Sequence, residues 1–138
     1  MIESAAKKEF QVPSDLSEVQ KASAKVLVFL KPLGLSQAFL FDVRLCLEEA
    51  LINAIKYGNR LQRNLKVSLA VEYNDERIQI TVEDQGKGFN LKGLKSCTSE
   101  ENLLRTCGRG VYLIHQLMDK VKYNARGNRL TMIKFLGR

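Results

Sequence analysis

The spacing of hydrophobic positions along the chain changes twice, and each change marks a different kind of element. In residues 16–31 apolar side chains recur at helical spacing, which predicts an amphipathic helix. Its apolar stripe comprises Val19, Ala22, Val26 and Leu30. Asp15 followed by Glu18 fits a capping box at the start of this helix. Pro32 and Gly34 then stop it.

A second helical pattern covers residues 37–57, with Ser36 in the N-cap position and Gly58-Asn59 at its end. Its apolar positions form a wide face that includes Val43, Leu47 and Leu51. A face of that width predicts a helix that is well buried.

The period then becomes two, which is typical of half-buried strands. Residues 66–73 and 78–83 alternate in this way, and the Asn74-Asp75-Glu76 turn between them predicts an antiparallel hairpin. Residues 8–12 alternate weakly and end at Pro13, as in a short edge strand. After a further helix over 110–118, residues 121–123 and 130–136 predict a last pair of strands.

This order of elements predicts an α+β fold, with three main helices on one face of a largely antiparallel mixed sheet. The chain has 138 residues, and we expect them to form one domain over 1–138. Residues 86–110 follow no period and hold five glycines. A loop of that length inside a small domain is usually functional.

Composition narrows the class of protein. Apolar residues make up 45% and charged residues 27%, which argues against a disordered or coiled-coil chain. No apolar run is long enough to span a membrane and no signal peptide is visible, so a cytoplasmic location is expected. The three cysteines form no Cys-x-x-Cys pair, and one histidine is present, which disfavours a disulfide framework or a zinc site. The net charge is +7, but the basic residues are scattered, so nucleic-acid binding remains a secondary alternative.

Glu49 and Asn53 lie four residues apart and therefore share one face of the second helix. A glutamate can act as a general base, and an asparagine oxygen suits a hard cation such as Mg²⁺. Taken alone, this pair also fits an ordinary solvated helix face.

Two glycine-containing segments follow. The first comes directly after a predicted strand and reads Asp84-Gln85-Gly86-Lys87-Gly88. Its carboxylate can accept a hydrogen bond from an amino group, and its glycines let the backbone approach a flat ligand closely. Gly108-Arg109-Gly110 opens a helix, and free N–H groups at a helix start suit a phosphate. Each segment alone is weak evidence, because the first also fits a turn.

The three segments together, in this order, resemble the sequence boxes of the GHKL ATPases. Glu49-Ala50-Leu51-Ile52-Asn53 resembles the N-box, and the segments beginning at Asp84 and Gly108 resemble the two glycine boxes. The resemblance covers essentially the whole chain. Within the superfamily the short length and the stretch 117–121 are similar to the bacterial anti-sigma-factor serine kinases. The resemblance implies the Bergerat ATP-binding fold, a two-layer sandwich.

The resemblance also implies roles for the matching residues of the N-box and the first glycine box. Glu49 matches the general base, and Asn53 the residue that holds Mg²⁺ against the phosphates of ATP. Asp84 matches the carboxylate that receives the adenine amino group. Gly86 and Gly88 match positions that line the base pocket.

Gly108 and Gly110 match the family's contacts with the phosphates at the start of the helix, and Arg109 lies between them. Residues 89–107 match a mobile lid, in which Arg105 is the candidate to reach the terminal phosphate. One departure stands out: the family often has a threonine after the glycine of the last hairpin, whereas Asn128 follows Gly127 here. Thr131 comes too late to take that role, which puts the adenine contact in doubt.

The function implied by the resemblance is that of an anti-sigma factor with serine kinase activity. It would bind ATP and Mg²⁺, bind a sigma factor, and phosphorylate a serine of an anti-anti-sigma protein of the STAS type. Similar kinases often pair as homodimers, with no direct nucleic-acid or membrane contact. The main alternative is a non-catalytic, ATP-gated protein-binding regulator. The catalytic part of a histidine kinase is disfavoured, because 138 residues leave no room for a phosphoacceptor helix.

Overall fold

The structure, a computed structural model, describes residues 5–86 and 108–137. Its strands are β1 (Ala6–Pro13), β2 (Lys66–Tyr73), β3 (Arg77–Glu83), β4 (Lys120–Tyr123) and β5 (Arg129–Phe135). Its α-helices are α1 (Val19–Leu30), α2 (Gln37–Asn53) and α3 (Gly108–Leu117). Short 3₁₀ turns cover Leu16–Glu18 and Lys31–Leu33, and a π-helical turn covers Ala54–Gly58.

The strands form one sheet in the order β1-β2-β3-β5-β4. All four pairings between the described strands are antiparallel, so the sheet predicted as largely antiparallel and mixed is antiparallel throughout its described part. The predicted edge strand is confirmed as β1, and the hairpin of β2 with β3 turns at residues 74–76 as expected.

The core lies between the sheet and the helices. On β2 and β3 alternate residues are buried, among them Leu69, Val71 and Ile80, while the residues between them are half-buried and largely polar. The predicted stripe of α1 and the wide face of α2 pack against the same cluster. This pattern confirms the α+β sandwich of two layers. None of the helices in residues 5–86 and 108–137 is long and apolar enough to cross a membrane.

The first two helices are capped by the residues that the sequence predicts, but the first helix begins later than predicted. The Ser36 hydroxyl accepts from the N–H of Phe39 at 3.1 Å, which confirms the N-cap of α2. Asp15 likewise accepts from the N–H of Ser17 at 3.0 Å. Glu18 does not complete the predicted capping box, because the N–H of Asp15 donates to the oxygen of Pro13 at 2.8 Å; Glu18 pairs with Lys21 at 3.9 Å. The first turn is a 3₁₀ turn, so α1 begins at Val19 instead of Leu16.

The end of α2 differs from a simple helix stop. The N–H of Asn59 donates to the oxygen of Ala54 at 2.7 Å, a π-type bond five residues long. Arg60 and Leu61 then take left-handed conformations with φ of 52° and 61°, which is unusual for residues with side chains. This reversal turns Asn59 into the interior, where only 1% of its surface is exposed.

Candidate functional site

The face of α2 that carries Glu49 and Asn53 is covered by the first turn of α3. A Cβ atom on Gly110 would overlap Oε2 of Glu49 and lie 3.7 Å from Nδ2 of Asn53. Both side chains are half-buried. No hydrogen bond or ion pair joins either side chain to another residue in the described part of the chain. The structure therefore brings the predicted base, the predicted metal ligand and Gly110 together.

The neighbouring carboxylate of Glu48 has a different environment. Its Oε2 lies 3.5 Å from Nε of Arg44, one turn earlier on the same helix. An i,i+4 pair of this kind is an ordinary surface feature of a helix. Glu49 is thus distinguished from Glu48 by its contact with α3 as well as by its spacing from Asn53.

Asp84 directly follows β3 and is the buried acid of the site, with 5% of its surface exposed. Its Oδ1 accepts from the N–H of Gly86 at 2.8 Å. Burial raises the pKa of this carboxyl and Glu83 adds to the rise, while the Gly86 N–H and Arg126 oppose it. A buried carboxylate with an elevated pKa is often part of a binding or catalytic site.

Two glycines are required around this carboxylate. A Cβ atom on Gly58 would overlap Oδ2 of Asp84, and one on Gly86 would overlap the carbonyl oxygen of Gly58. The end of α2 and the loop after β3 can therefore approach this closely only because both residues lack a side chain. At Gly86 the group that approaches closely is the protein backbone of Gly58, and the place of Gly86 in a base pocket stays a prediction.

A small pocket connects Asp84 with Asn53. Its apolar wall comprises Ala50, Ala54, Val82 and Leu130. The ring of Tyr123 and the side chain of Asn128 complete it, and burial raises the pKa of the Tyr123 phenol to about 12. The pocket volume is about 20 Å³, room for one water.

Asn128 is the residue in the place of the missing threonine, and it lies inside the pocket wall. Its carbonyl oxygen accepts from the N–H of Asp84, and its Nδ2 donates to the carbonyl oxygen of Asp84, both at 2.9 Å. Thr131, by contrast, pairs with Thr81 in the middle of the sheet. The last hairpin therefore does reach the predicted base site, through a residue that the motif comparison left in doubt.

Asn59 holds the same loop from the other side. Its Oδ1 accepts from the N–H of Gln85 at 2.8 Å, and its Nδ2 donates to Ser14 Oγ at 2.8 Å and to the oxygen of Lys66 at 3.1 Å. The Ser14 hydroxyl in turn donates to the carbonyl oxygen of Leu65 at 2.7 Å. Sequence reasoning used Asn59 only as a helix stop, and the one signal for it was its place after Gly58.

Several predicted residues lie outside the part of the chain that can be described. Gly88, Arg105, the lid over 89–107, and Cys97 with Cys107 are outside the described residues. Gly108 and Arg109 begin α3, but the Arg109 side chain is not described. Lys56 is exposed and its Nζ lies 5.4 Å from the centre of the Tyr57 ring, in agreement with a solvated lysine.

Comparison with known proteins assigns the chain to a family. Residues 12–134 match the histidine kinase-like ATPase domain family. The chain belongs to this family. A protein of Staphylococcus epidermidis named serine-protein kinase RsbW is 29% identical to this ATPase domain over 136 residues, covering 93% of this chain and 86% of the relative. A Bacillus licheniformis protein of the same name is 31% identical over 113 residues, which cover 77% of this chain and 71% of the relative.

Two crystal structures share the fold of this ATPase domain. The SiaB–SiaC complex of Pseudomonas aeruginosa matches with a TM-score of 0.67 and 15% identity, over 93% of this chain and 88% of that one. The RsbU and RsbW domains of a Mycobacterium tuberculosis protein match with a TM-score of 0.62 and 12% identity, over 94% of this chain and 32% of that one. The α+β sandwich of this chain is therefore a fold that both of these structures share.

Replacing Asn59 by alanine is expected to lower the free energy of unfolding of the ATPase domain by ~2 kcal/mol, because the Gln85 N–H and Ser14 lose a buried partner. Urea denaturation measures the change. Asn64→Ala, on an exposed loop nearby, is the matched control and should leave the value unchanged. Equal stabilities of the two variants would contradict a structural role for Asn59.

Replacing Gly110 by alanine is expected to displace Glu49, because the new methyl group would overlap Oε2 of Glu49. Displacing a reacting group by about 1 Å can cost ~100-fold in rate, so any reaction that uses Glu49 should slow at least tenfold. Gly34→Ala is the control: its φ of 61° makes alanine cost about 1 kcal/mol of stability, far from the site. A Gly110→Ala variant with unchanged turnover would refute the contact.

Proposed function

We propose that this chain is an anti-sigma factor with serine kinase activity, which binds ATP with Mg²⁺ and phosphorylates an anti-anti-sigma partner. The observation that carries the proposal is the convergence of Glu49 and Asn53 with Gly110 on one side and Asp84 on the other. The family match and the relatives named serine-protein kinase support the chemistry.

The pocket side of the site suits an adenine. Asp84 offers a carboxylate to an amino group, and apolar side chains from α2 and the sheet can cover the two faces of a flat ring. We assign Asp84 and Gly86 to the base, together with Gly88. The phosphates would then extend toward Asn53 and the start of α3, where we assign Gly108, Arg109 and Gly110.

Phosphoryl transfer needs a base, an acceptor and charge compensation. Glu49 would take the proton of the serine hydroxyl as its oxygen attacks the γ-phosphorus in line, and the bridging oxygen would leave with ADP. Arg105 would stabilise the charge on the transferred group. Mg²⁺, when bound, neutralises charge on the phosphate oxygens.

The donor set fits a magnesium ion that is shared with a nucleotide. The described residues hold no cluster of three or more carboxylate, histidine or cysteine side chains, so they offer no complete protein cage for a metal. Mg²⁺ typically keeps several waters and takes one or two protein oxygens plus the phosphates. The half-buried amide of Asn53, on the face of α2 next to Gly110, can supply one such oxygen.

The biological partners follow from the same proposal. The acceptor would be a STAS-type anti-anti-sigma protein, and the controlled protein a sigma factor, as part of a cytoplasmic regulatory system. In the SiaB–SiaC complex of Pseudomonas aeruginosa, a protein of this fold is assembled with a partner, which supports this part of the proposal. We further propose that residues 1–138 act as one domain and that the chain pairs as a homodimer, without contacting nucleic acid.

Transfer of a labelled phosphate tests the proposal. The chain is incubated with Mg²⁺, ATP labelled at the γ-position and a STAS-type protein from the same genome, and mass spectrometry locates the label. Label on a serine of the acceptor is expected. ATP binding without any transfer would favour the ATP-gated regulator, and absence of ATP binding would refute both functions.

A further inference from the structure

A larger cavity opens beside the loop that follows Asp84, outside the pocket that we assign to the base. Its volume is about 400 Å³, compared with about 20 Å³ for the base pocket. We call this cavity the basic cleft, and it is lined by residues 57–60, Gln62, Leu65, Gln85, Gly86 and Arg126. Of these residues only Gly86 is also assigned to the nucleotide.

Arg60 lines the basic cleft with its backbone in an unfavourable conformation. Its φ is 52° and that of Leu61 is 61°, both in the left-handed region. The N–H of Leu61 donates to the oxygen of Ile55 at 2.8 Å. The N–H of Gln62 donates to the oxygen of Asn59 at 3.0 Å, and Asn59 itself is buried. A strained residue that its surroundings hold in place is often part of a functional site, which makes Arg60 a candidate.

Arg126 reaches the cleft from the hairpin of β4 with β5, where the turn is also well defined. The N–H of Gly127 donates to the oxygen of Asn124 at 3.0 Å and closes the turn around Arg126. Oδ1 of Asn124 accepts from the N–H groups of Asn128 and Arg129, both at 3.0 Å. Both arginines therefore lie on main-chain segments that are ordered before a ligand arrives, which lowers the entropic cost of binding one.

The basic cleft is positively charged. Among the described residues that line it, Arg60 and Arg126 are charged and none is an aspartate or a glutamate. The Nζ atom of Lys56, 5.4 Å from the centre of the Tyr57 ring, adds a third positive charge beside the cleft. A guanidinium group matches a carboxylate in shape and can bind it through two parallel hydrogen bonds. The cleft therefore suits an anionic ligand.

The apolar residues around these charges favour a protein as the ligand over a nucleic acid. Tyr57, in the lining, is 60% exposed, and Leu61, next to Arg60, is 48% exposed. Aromatic residues and arginine are enriched in protein–protein interfaces, where apolar area surrounds a few charges. A nucleic acid instead requires positive charges spread along its phosphates, whereas those of the cleft are close together. The fitting ligand is an acidic side chain beside an apolar one.

The basic cleft also lies next to the nucleotide site. A Cβ atom on Gly58 would overlap Oδ2 of Asp84, and one on Gly86 would overlap the carbonyl oxygen of Gly58. Burial raises the pKa of Asp84 while Arg126 opposes the rise, so the charge of Arg126 reaches the same carboxylate. A protein seated in the cleft would therefore lie beside the bound nucleotide, as a phosphoacceptor has to.

We propose that the basic cleft docks an acidic segment of the phosphoacceptor protein, with a carboxylate bound between Arg60 and Arg126 and an apolar side chain against Tyr57. The inference rests on the proposed kinase function, because that function supplies the acceptor. The net charge of +7 also attracts acidic proteins in general, so the test has to separate the local contact from the charge of the whole chain.

Steady-state phosphorylation of a STAS-type protein from the same genome measures the contact. Arg60→Gln and Arg126→Gln should each raise the KM for this acceptor about tenfold, the value of a hydrogen bond to a charged group. The change should be in KM and not in kcat, because binding is lost equally before and during the reaction. Arg60→Glu should raise the KM further than Arg60→Gln, since it places like charges together. Both arginines are exposed, so urea denaturation should find the variants as stable as the wild type.

Arg129→Gln is the matched control for net charge. Arg129 is an exposed arginine on the same hairpin as Arg126, and it does not line the cleft. Its replacement removes the same charge and should leave the KM for the acceptor unchanged. An equal rise in this variant and in the cleft variants would show that net charge alone attracts the acceptor, and would overturn the proposal.

Other outcomes separate this inference from the proposed function. If the wild-type chain phosphorylates the acceptor and the double variant of Arg60 and Arg126 does so with an unchanged KM, the docking contact is refuted while the kinase function stands. Arg60→Gln should keep the wild-type KM for ATP, because Arg60 does not line the base pocket. A matching rise in the KM for ATP would place Arg60 in nucleotide binding and refute docking. If the wild-type chain transfers no phosphate to the acceptor, the proposed function itself fails.

Discussion

Replacing Glu49 by glutamine is expected to lower the rate of phosphoryl transfer to the partner serine by a factor of about 10² to 10⁴. Glutamine has nearly the same shape, so the contact with α3 should persist and ATP should bind with almost unchanged affinity. It cannot accept the proton of the serine hydroxyl, however. Single-turnover transfer of labelled phosphate, with calorimetry of ATP binding beside it, measures the two effects separately.

Glu48 provides the matched control for this experiment. It is the adjacent residue, carries the same charge and pairs with Arg44 on the outer surface of α2. Glu48→Gln should therefore transfer phosphate at the wild-type rate. Normal transfer by the Glu49 variant, or loss of transfer in the Glu48 variant, would overturn the assignment of the base.

Replacing Asp84 by asparagine is expected to weaken ATP binding by about 10- to 100-fold, the value of a hydrogen bond to a charged group in a buried site. The amide keeps an oxygen for the Gly86 N–H, so the loop should stay folded. Glu83→Gln is the matched control, because Glu83 is the neighbouring acid on β3 and lies outside the pocket. Equal ATP affinities in the two variants would contradict the base pocket.

The same substitution should change how stability depends on pH. Burial raises the pKa of Asp84 above 3.8, so the folded chain holds this proton to a higher pH than the unfolded chain does. The destabilising effect of ionising Asp84 is absent below pH 3.8 and develops as the pH rises through the folded-state pKa. The stability of Asp84→Asn relative to the wild type should thus increase from about pH 4 upward and then level off, as urea denaturation can show. A stability difference between the two chains that does not change with pH would contradict the raised pKa of Asp84.

Local patterns were enough to predict most of the fold. Apolar side chains at period two fixed the strands β2 and β3, and the Ser36 cap fixed the start of α2, because each depends on residues close in sequence. The i,i+4 spacing also placed Glu49 and Asn53 on one face correctly. The helix predicted over 37–57 included most of the segment Ala54–Gly58, but its π-helical form was missed because the segment keeps a helical composition while its hydrogen bonds lengthen.

The supporting residues of the site could not be predicted in the same way. The bond from Asn59 to Ser14 spans 45 residues, and the bond from Asn128 to Asp84 spans 44. A buried asparagine has no periodic signature, and both residues lie in segments that also fit ordinary turns. Tyr123 could not be assigned to the pocket for a similar reason: its strand was predicted, but it lines the same pocket as Ala50 of α2 only in the folded chain.

Titration of the chain with Mg·ATP, followed by calorimetry, tests the central claim most directly. We expect the wild-type chain to release or absorb heat as it binds one nucleotide per chain. We expect the Asp84→Asn variant to bind the nucleotide with markedly lower affinity. No heat with the wild-type chain, or an undiminished affinity in the Asp84 variant, would contradict the claim that these segments form one ATP site.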